Sequence, residues 1–500
     1  MAFPEDPASP LLVPREGIEY LQHQVAGIRW MLAREEPTAE ICRGGILADD
    51  MGLGKTFQTI GLLKNSPALR TLIVCPPALI SGWLQELTAC GFEVAQILSG
   101  AAVWTTVSDE AIAAGRVVWL TTYAKMCLYA GFLATADPAW GRVVLDEGHA
   151  IRNGKETTRW LRAMAVAKRA QCRWILSATP VQNGYSDWRN LCWWLRVRAG
   201  ASRIPELGPV LMLRRTMEEL RDVISTLPPA PRYVIHDLSI PDAGKEGRLF
   251  RVLCDNLQNA MDDRAVSALM VLELYMRIQQ FLVHPQLYVE GMRAKFRGAY
   301  PRPDWDGGAT KWGAVMSELR VAVRERVPTI VFCQFAAEMD RVMAEATATG
   351  GEAFCVRGGM GAEKVGETVA EARAAAERGE PVVIVVQIVA GGAGLNLQFC
   401  RRVLFMSQHW NPAVVHQAVG RAVRIGQRQR VDVHFFRVVD DVMTNLDRRV
   451  VAVHMRKIAG AREICDTLYE GFAPLKVIPG GCMVEEEEEE ENESDDPVEV

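Results

Sequence analysis

The chain has 500 residues, of which 49% are apolar and 23% are charged, proportions that are ordinary for a globular protein. This length exceeds what one hydrophobic core can hold, so we expect two large domains or about three smaller ones. No apolar run approaches the roughly 20 residues that span a bilayer, and the acidic, proline-rich N-terminus lacks the basic and apolar regions of a secretory signal. We therefore expect an intracellular protein without membrane-spanning helices.

The net charge of −5 conceals an uneven distribution. Eleven acidic residues and no basic ones lie in Glu485–Val500, a segment that we predict to be disordered. The other 50 acidic residues are outnumbered by 56 Lys and Arg. A mildly basic body suits a polyanionic partner, although biased codon usage would explain the excess of arginine equally well. The twelve cysteines are scattered without zinc-type spacing, so we expect reduced thiols and no zinc site built from closely spaced Cys and His, which leaves open a site assembled from distant residues.

Two regions alternate apolar strands with helical stretches, which is the pattern of parallel α/β sheets. The strands predicted in the first region are Gly45–Ala48, Thr71–Cys75, Val117–Thr121, Val143–Asp146 and Arg173–Ser177. Those predicted in the second region are Thr329–Cys333, Val382–Val386, Arg402–Met406 and Val431–Val439. Between the regions, a proline-bearing connector begins near Leu227 and leads into a helical stretch around Leu249–Val283.

The segment Gly44–Thr56, GGILADDMGLGKT, joins a short apolar strand to a glycine-bearing turn and then to the start of a helix. Backbone N–H groups of such a loop hold phosphate oxygens, and the helix N-terminus adds favourable partial charge. In this interpretation Lys55 reaches the β and γ phosphates of a nucleotide and Thr56 binds Mg²⁺. The usual pattern has glycine where this chain has Asp49, so a chance glycine turn is the alternative.

A second motif, VVLDEGH at Val143–His149, runs from an apolar strand into paired carboxylates. Parallel α/β sheets bind ligands at this end of their strands. Asp146 would hold Mg²⁺, and Glu147 would orient and deprotonate an attacking water. The alternative is an exposed acidic turn. A third segment, LSATPVQN at Leu176–Asn183, would bond to the carboxylate site or would form a simple turn set by Pro180.

The segment Gln417–Gln427, QAVGRAVRIGQ, carries Arg421 and Arg424 three residues apart, a spacing that places both on one face of a helix. Two guanidinium groups from a second domain would reach a γ-phosphate across a cleft, and such arginine fingers contribute about 10³–10⁵ in rate. The alternative is a solvated basic helix face. The phosphate loop and the acid pair in the same chain favour the chemical interpretation.

Together these motifs resemble those of the Swi/Snf family of DNA-dependent ATPases, within helicase superfamily two. The resemblance covers roughly Tyr20–Asp441, and the motifs occur in the family's order. In the first half they are YLQHQVAGIRWM, GGILADDMGLGKT, VCPPALISGW, LTTY, VVLDEGHAIRN and LSATPVQN. In the second half they are LMLRR, FLVHPQL, VFCQF, AGGAGLNL, WNP and QAVGRAVRIGQ. The acidic Asp49 fits the family's own version of the phosphate loop.

The resemblance implies ATP and Mg²⁺ as cofactors and assigns further residues. Gln24, placed before a helix, would read the adenine edge, and the remaining ATP contacts would come from Asp50, Met51, Gly52, Leu53, Gly54, Lys55 and Thr56. Coupling of hydrolysis to lobe movement would involve Ser177, Thr179, Gly394, Asn396 and Gln417. A sequence-independent grip on the DNA backbone would involve Pro76, Thr121, Thr122, Trp410 and Asn411.

The implied fold is α/β, with two RecA-like parallel-sheet lobes in tandem, a helical insertion between them and a disordered acidic tail. The expected domains are an ATP-binding lobe at 1–226, a connector and helical protrusion at 227–310, a helicase lobe at 311–475 and the tail at 485–500. The implied function is an ATP-dependent motor that translocates on double-stranded DNA and remodels nucleosomes or transcription complexes, recruited by a protein partner. Its location would be the nucleus if the source is a eukaryote or a nuclear virus.

Two other functions stay open. One is a strand-separating DNA or RNA helicase, for example one that acts in viral transcription, although no strand-separating pin is readable in the sequence. The other is a non-hydrolysing, ATP-gated DNA-binding scaffold, against which the intact acidic and arginine residues argue.

Overall fold

The structure is a computed structural model, and it describes residues 11–15, 17–37, 41–66, 70–97, 103–182, 184–197, 204–221, 224–263, 265–388, 395–407, 409 and 411–439. The predicted acidic tail, Gly394 and Trp410 lie outside these residues. None of the helices in the described ranges is long and apolar enough to cross a membrane.

The first sheet contains strands β1–β7, which are Gly44–Leu47, Thr71–Cys75, Glu93–Gln96, Val117–Thr122, Arg142–Asp146, Cys172–Leu176 and Met212–Leu213. They lie in the order β3-β4-β2-β5-β6-β1-β7, and every neighbouring pair is parallel. Strands β1, β2, β5 and β6 are buried along their whole length, which explains their continuous apolar sequences. The five strands predicted here are confirmed to within one residue at each end.

Helices cover both faces of this sheet. Successive residues of β1 point into different cores, since Ile46 packs in the cluster on one face and Leu47 in the cluster on the other. The helices α1–α10 are Gln22–Glu35, Lys55–Asn65, Ile80–Ala89, Asp109–Ala113, Tyr123–Leu128, Ala130–Ala134, Thr158–Val166, Tyr185–Trp194, Ile204–Leu211 and Met217–Arg221. Short 3₁₀ turns cover Pro77–Leu79, Gly148–Ile151 and Gly154–Glu156.

The second sheet contains β8–β13, which are Arg232–Leu238, Thr329–Cys333, Glu352–Val356, Val382–Gln387, Arg402–Phe405 and Asp432–Val438. Their order is β10-β11-β9-β12-β13-β8, again with every neighbouring pair parallel. The four strands predicted in this region are confirmed to within one residue. Helices α14–α17, at Thr310–Arg324, Ala336–Ala348, Ala362–Glu377 and Pro412–Val419, surround the sheet.

Between the two sheets, the predicted helical stretch consists of separate helices α11 at Lys245–Asp262 and α12 at Ala268–Val283, followed by α13 at Pro285–Lys295. These helices share a core that also includes Val438 of β13. Strand β8 lies in the range that the sequence predicts to be connector, yet it is the edge strand of the second sheet. The prediction of two tandem parallel α/β lobes with a helical insertion is therefore confirmed.

The order of the first sheet decides where a site can form. Strands β5, β6 and β1 are adjacent and parallel, so their carboxyl ends lie side by side. The phosphate loop, the acid pair and the LSATPVQN segment follow these three strands and meet at one edge of the sheet.

Candidate active site

The loop between β1 and α2 turns through left-handed glycine conformations. The backbone angle φ is +85° at Gly52 and +82° at Gly54, a region that costs other L-residues roughly 1–2 kcal/mol. A Cβ on Gly54 would also lie 2.4 Å from Nε2 of Gln24. Both backbone conformation and packing therefore favour glycine immediately before α2.

The ammonium group of Lys55 turns back into this loop. Its Nζ donates to the backbone carbonyls of Asp49 at 2.6 Å and Asp50 at 3.2 Å. Burial lowers the pKa of Lys55, although nearby carboxylates, foremost Glu147, oppose that shift. The cation thus lies between the loop and the acid pair.

Asp49, the first residue of the phosphate-loop pattern, is anchored in the protein interior. Its carboxylate is fully buried and forms a two-pronged ion pair with Arg215, at 2.9 Å from Nε and 2.5 Å from Nη2. The amide of Gln58 in α2 donates to the same carboxylate at 2.9 Å. The loop is therefore fixed at once to α2 and to the segment that follows β7.

Gln24 lies within the first turn of α1, so the expectation that it precedes a helix is wrong. Its Oε1 accepts the backbone N–H of Leu21 at 3.1 Å and satisfies one of the free N–H groups of the helix end. Its Nε2 donates to the carbonyl of Leu53 at 3.3 Å, and Nε2 of His23 lies 2.9 Å from the same oxygen. Helix α1 therefore holds the phosphate loop through Leu53.

The acid pair lies at the carboxyl end of β5. The indole of Trp83 donates to Oδ2 of Asp146 at 2.7 Å, and the backbone N–H of Glu147 donates to Oδ1 at 2.9 Å. Burial and the adjacent Glu147 raise the pKa of Asp146 to about 6. A cation at this carboxyl would relieve both effects.

Glu147 adopts a left-handed φ of +50°, which is uncommon for a residue with a side chain and marks local strain. Burial raises the pKa of Glu147, but His149, Lys55 and Arg421 together lower it by more, so its net pKa lies below the usual value. The environments of the two adjacent carboxyls thus push their pKa values apart, as different chemical roles require.

Ser177 and Thr179 continue the polar contacts away from the acid pair. Nδ1 of His149 lies 3.3 Å from Oε2 of Glu147 and 3.2 Å from Oγ of Ser177. The same hydroxyl accepts the backbone N–H of Thr179 at 3.3 Å. The segment after β6 is therefore in contact with the acid pair through one histidine.

Gln182 extends this chain of contacts into the second lobe. Its Nε2 donates to Oγ1 of Thr179 at 3.1 Å, and its Oε1 accepts from Nδ2 of Asn411 at 3.1 Å. Oδ1 of Asn411 accepts the backbone N–H of Ala413 at 3.1 Å and caps α17. A continuous polar path thus runs from Glu147 to the first turn of a second-lobe helix.

Arg421 and Arg424 lie in the turn after α17, so the prediction that they share a helix face is wrong. The helix ends at Val419, and the carbonyl of Arg421 accepts the backbone N–H of Leu397 at 3.1 Å, a long-range contact that replaces helical bonding. Arg421 is 4% exposed, and its burial lowers its pKa to about 10, with Glu147 opposing that shift.

The second lobe touches the phosphate loop at two places. A Cβ on Gly52 would lie 2.8 Å from Cβ of Arg424, and a Cβ on Gly420 would lie 3.1 Å from Cβ of Met51. The two lobes are therefore in close contact at these glycines, where an added Cβ would crowd the opposite lobe. Lys55, the acid pair and Arg421 consequently lie in one cleft.

The residues predicted to grip DNA fall in two places. Pro76 follows β2, and Thr121 and Thr122 end the neighbouring β4, where Thr122 pairs in register with Cys75. Thr121 is buried, and the hydroxyl of Thr122 caps α5 by accepting the N–H of Lys125 at 3.2 Å.

The other predicted DNA and coupling residues lie mostly in the second lobe. Asn411 and Gln417 are buried, and the carbonyl of Asn396 accepts from Nη2 of Arg373 at 3.3 Å. Trp410 and Gly394 belong to the part of the chain that the structure does not describe.

Three residues that support the site have no predicted role. The phosphate loop is held by Arg215 through Asp49, and Asp146 is held by the indole of Trp83. The contact between the lobes is made by Gln182. Each belongs to a recognisable motif, LMLRR, VCPPALISGW or LSATPVQN. Motif membership is the one signal in the sequence that points to them.

Comparison with known proteins assigns both halves of the chain. A model of the SNF2-related domain matches residues 23–204, and a model of the helicase conserved C-terminal domain matches residues 310–426. The chain belongs to the Snf2-like ATPases of helicase superfamily two. These enzymes depend on nucleic acid for their activity, and the two matches cover the motifs on both sides of the cleft.

Several relatives match most of this Snf2-like chain. A protein of Orgyia pseudotsugata multicapsid polyhedrosis virus named "Probable global transactivator" is 26% identical over 91% of this chain and 93% of its own length. A mouse SWI/SNF-related regulator of chromatin, subfamily A member 1, is 25% identical over 86% of the chain, which spans 42% of that protein. The solved Sulfolobus solfataricus SWI2/SNF2 ATPase core in complex with double-stranded DNA is 22% identical, with a TM-score of 0.38, over 86% of this chain and 90% of its own.

Proposed function

We propose that this Snf2-like ATPase is a motor that translocates on double-stranded DNA and so displaces or repositions DNA-bound proteins. The observation that carries the proposal is the convergence of Lys55, the acid pair and Arg421 in a cleft between two parallel-sheet lobes. Such a cleft changes shape when the lobes move, so turnover at the cleft would move the surfaces that contact DNA.

In this proposal the phosphate loop 50–56 holds ATP. Lys55 would leave its two carbonyl partners for the β and γ phosphates, and Gln24 would turn toward the adenine edge. The short distance between Gln24 and Gly54 supports this role, because a side chain that already lies over the loop needs little movement to reach a bound base.

The donor set also suits Mg²⁺. The hydroxyl of Thr56 and the carboxyl of Asp146 are hard oxygen ligands of the kind that this ion takes. The raised pKa of Asp146 supports the assignment, since a buried carboxyl beside another carboxyl gains from a cation. Bound Mg²⁺ would neutralise charge on the phosphates.

Hydrolysis would use groups from both lobes. The carboxylate of Glu147, whose pKa is lowered, would accept a proton from the attacking water. Arg421 and Arg424 would stabilise the negative charge that develops on the transferred phosphoryl group. Ser177, Thr179, Asn396 and Gln417 would link this step to lobe movement, and the contacts through Gln182 support that role.

DNA would be held through its backbone, at the edge formed by Pro76, Thr121 and Thr122, with Trp410 and Asn411 on the second lobe. Contacts of this kind are independent of sequence and weaken steeply with salt. Because Asn411 is 6% exposed, it would reach DNA only after the lobes rearrange. The chromatin and viral relatives support nucleosomes or a transcription complex as targets, a recruiting protein partner, and action in the nucleus or another DNA-containing compartment.

The test is the ATPase rate with double-stranded DNA, single-stranded DNA, RNA and nucleosomes, together with displacement of a third strand from a DNA triplex. We expect the largest stimulation by double-stranded DNA and loss of the stimulated rate in Lys55→Ala. Lys64→Ala, on the same helix, is the matched control because its ammonium donates to the carbonyl of Val13 near the surface.

Three outcomes would reject parts of the proposal. An unchanged rate in Lys55→Ala would overturn the site assignment. Efficient unwinding of a forked duplex would favour a strand-separating helicase instead. Normal ATP binding without hydrolysis on any nucleic acid would favour an ATP-gated scaffold.

A further inference from the structure

A second cluster of ligand-type side chains lies in the second lobe, away from the cleft. It consists of His236 on the edge strand β8, His434 on the neighbouring β13 and Glu318 on α14. The register pairs His434 with Val234 and His236 with Phe436, so both histidines point to the same face of the sheet. Helix α14 packs on β13 over this face, which brings the glutamate to the histidines.

The distances within this cluster are short. Nε2 of His236 and Nδ1 of His434 are 3.0 Å apart, although the residues are 198 positions apart in the chain. Oε2 of Glu318 lies 3.8 Å from the same Nδ1 of His434. One ligand atom from each of the three residues lies within 4.8 Å of the others.

The setting of His434 is costly for a histidine that has no further role. The residue is 5% exposed, and its Nε2 has no hydrogen-bond partner among the described residues. Phe436 stacks on the ring of His236, and α14 contributes apolar neighbours on the same face. Burying an imidazole in this setting carries a free-energy cost, so the residue calls for an explanation. The nitrogen that a metal would use is Nδ1, which faces His236 and Glu318.

Two arginines near the cluster each have an acidic partner. Arg402 is paired with Glu325 at 3.2 Å, and Arg232 is paired with Asp432 at 2.5 Å. Glu318 supplies the cluster with its own carboxylate, which would offset part of the charge of a bound cation.

We propose that His236, His434 and Glu318 form a zinc site that joins the edge strand of the second sheet to its neighbour and to α14. Zinc takes imidazole nitrogens and carboxylate oxygens at about 2.0–2.2 Å in a tetrahedral arrangement, so neighbouring ligand atoms stand roughly 3.4 Å apart. The observed separations of 3.0 Å and 3.8 Å bracket that value. The three ligand atoms all lie within 4.8 Å of one another, so side-chain adjustments would bring them to zinc-ligand spacing, and water would supply the fourth ligand on the half-exposed side.

The proton balance of this site is simple. In the free protein one imidazole N–H donates to the other ring across the 3.0 Å contact. When zinc binds, that proton moves to the other nitrogen of the same ring, so both rings stay neutral and both facing nitrogens offer lone pairs. No proton leaves the histidines, and Glu318 binds as the carboxylate.

The site would act as a structural staple. Strand β8 follows the connector between the lobes, and among the described residues its one neighbour in the sheet is β13. A metal bond across the two strands would hold the connector's entry into the second lobe in place. Zinc binding at this site requires neither ATP nor DNA, so it can be tested separately from the proposed motor activity.

The experiment measures Zn²⁺ binding to the full chain, with its cysteines reduced, by competition with a chromophoric chelator. Wild type is compared with His236→Gln and Glu318→Gln, both half-exposed positions, and with the control Glu345→Gln, an acid paired with Arg320 at the surface. Scattered thiols bind zinc equally in all four proteins, so the difference isolates the site. We expect wild type and control to bind one more equivalent than the two variants.

A thermal-unfolding measurement gives a second readout. A ligand that binds the folded state raises Tm, so added Zn²⁺ should raise the Tm of wild type and control but raise it much less in the two variants. Equal stoichiometry and equal Tm shifts in all four proteins would overturn the site. The histidine pair would then be a hydrogen bond between two neutral rings and nothing more.

Discussion

The two walls of the cleft are built differently. On the first-lobe wall, Asp49 and Arg215 form a buried ion pair, and Asp146 is fixed by the indole of Trp83. On the second-lobe wall, Arg421 and Arg424 sit in a turn after a short helix, where the carbonyl of Arg421 is held by one backbone bond to Leu397. The contacts of the first wall form within the first lobe alone. The two arginines belong to the second lobe and are in the cleft only when that lobe packs against the first. This difference would make hydrolysis depend on lobe closure.

The largest expected effect is on the ATPase rate and comes from removing the guanidinium of Arg421 on the second-lobe wall. Arg421→Ala should reduce the DNA-stimulated kcat by about 10³–10⁵-fold, because developing charge on the phosphoryl group loses its partner. ATP affinity should change little, since the first wall is intact. Steady-state ATPase kinetics and a nucleotide-binding titration check both expectations. Arg428→Ala is the control, because Arg428 is exposed a short distance along the chain. A matching fall in kcat for Arg428→Ala would indicate a general effect of the segment.

A large effect on stability is expected at the centre of the first wall. Asp49→Ala leaves Arg215 buried without its partner, a change that costs about 3–5 kcal/mol of unfolding free energy. Urea unfolding followed by fluorescence measures it. Asp306→Ala removes the partner of the exposed Lys245 and should have a much smaller effect on stability, because water screens a surface ion pair. Similar losses in the two variants would show that the first wall does not depend on its buried pair.

A smaller effect is expected from the backbone of the phosphate loop. Gly54→Ala forces a side chain into φ +82° and against Gln24, so about 1–2 kcal/mol should appear as weaker ATP binding or a lower kcat/KM. Gly82→Ala in α3 is the control, since a Cβ there meets nothing within 4 Å and a helix favours alanine. If Gly54→Ala binds ATP as tightly as wild type, the loop is not held in this shape during binding.

The smallest effect should come from the contact between the walls. Gln182→Ala and Asn411→Ser each remove the 3.1 Å hydrogen bond, and serine preserves the cap on α17. A double-mutant cycle on kcat should give a coupling of about 0.5–1.5 kcal/mol. Additive effects would mean that the two residues act separately.

The strands that the sequence predicts share one property, which is burial on both faces of a parallel sheet. The strands it misses are short or partly exposed. Strands β3 and β10 carry half-exposed residues, and β7 has two residues. Strand β8 is a partly exposed edge strand that directly follows the proline-bearing connector. Continuous apolar runs predict the former, whereas the latter depend on neighbours elsewhere in the chain.

The same limit applies to the site. Lys55, Asp146 and Glu147 are recognisable because each stands in a short local motif, and their roles stay predictions. Arg215 meets Asp49 from 166 positions away, a partnership that no local pattern contains. The helix expected at Arg421 fails for a related reason, because the distant Leu397 takes its carbonyl.

Gly420 has a consequence for how far the lobes can close. Its φ is ordinary, at −63°, so alanine or valine would suit its own backbone. What opposes a larger residue is Met51 across the cleft, whose Cβ would lie only 3.1 Å from an added Cβ. Gly420 therefore acts as a spacer of minimum thickness that sets the closest approach of the two lobes. A larger residue at this position would keep the two lobes apart while leaving the site residues of each lobe unchanged. Such a variant would hold the enzyme in an open state for study.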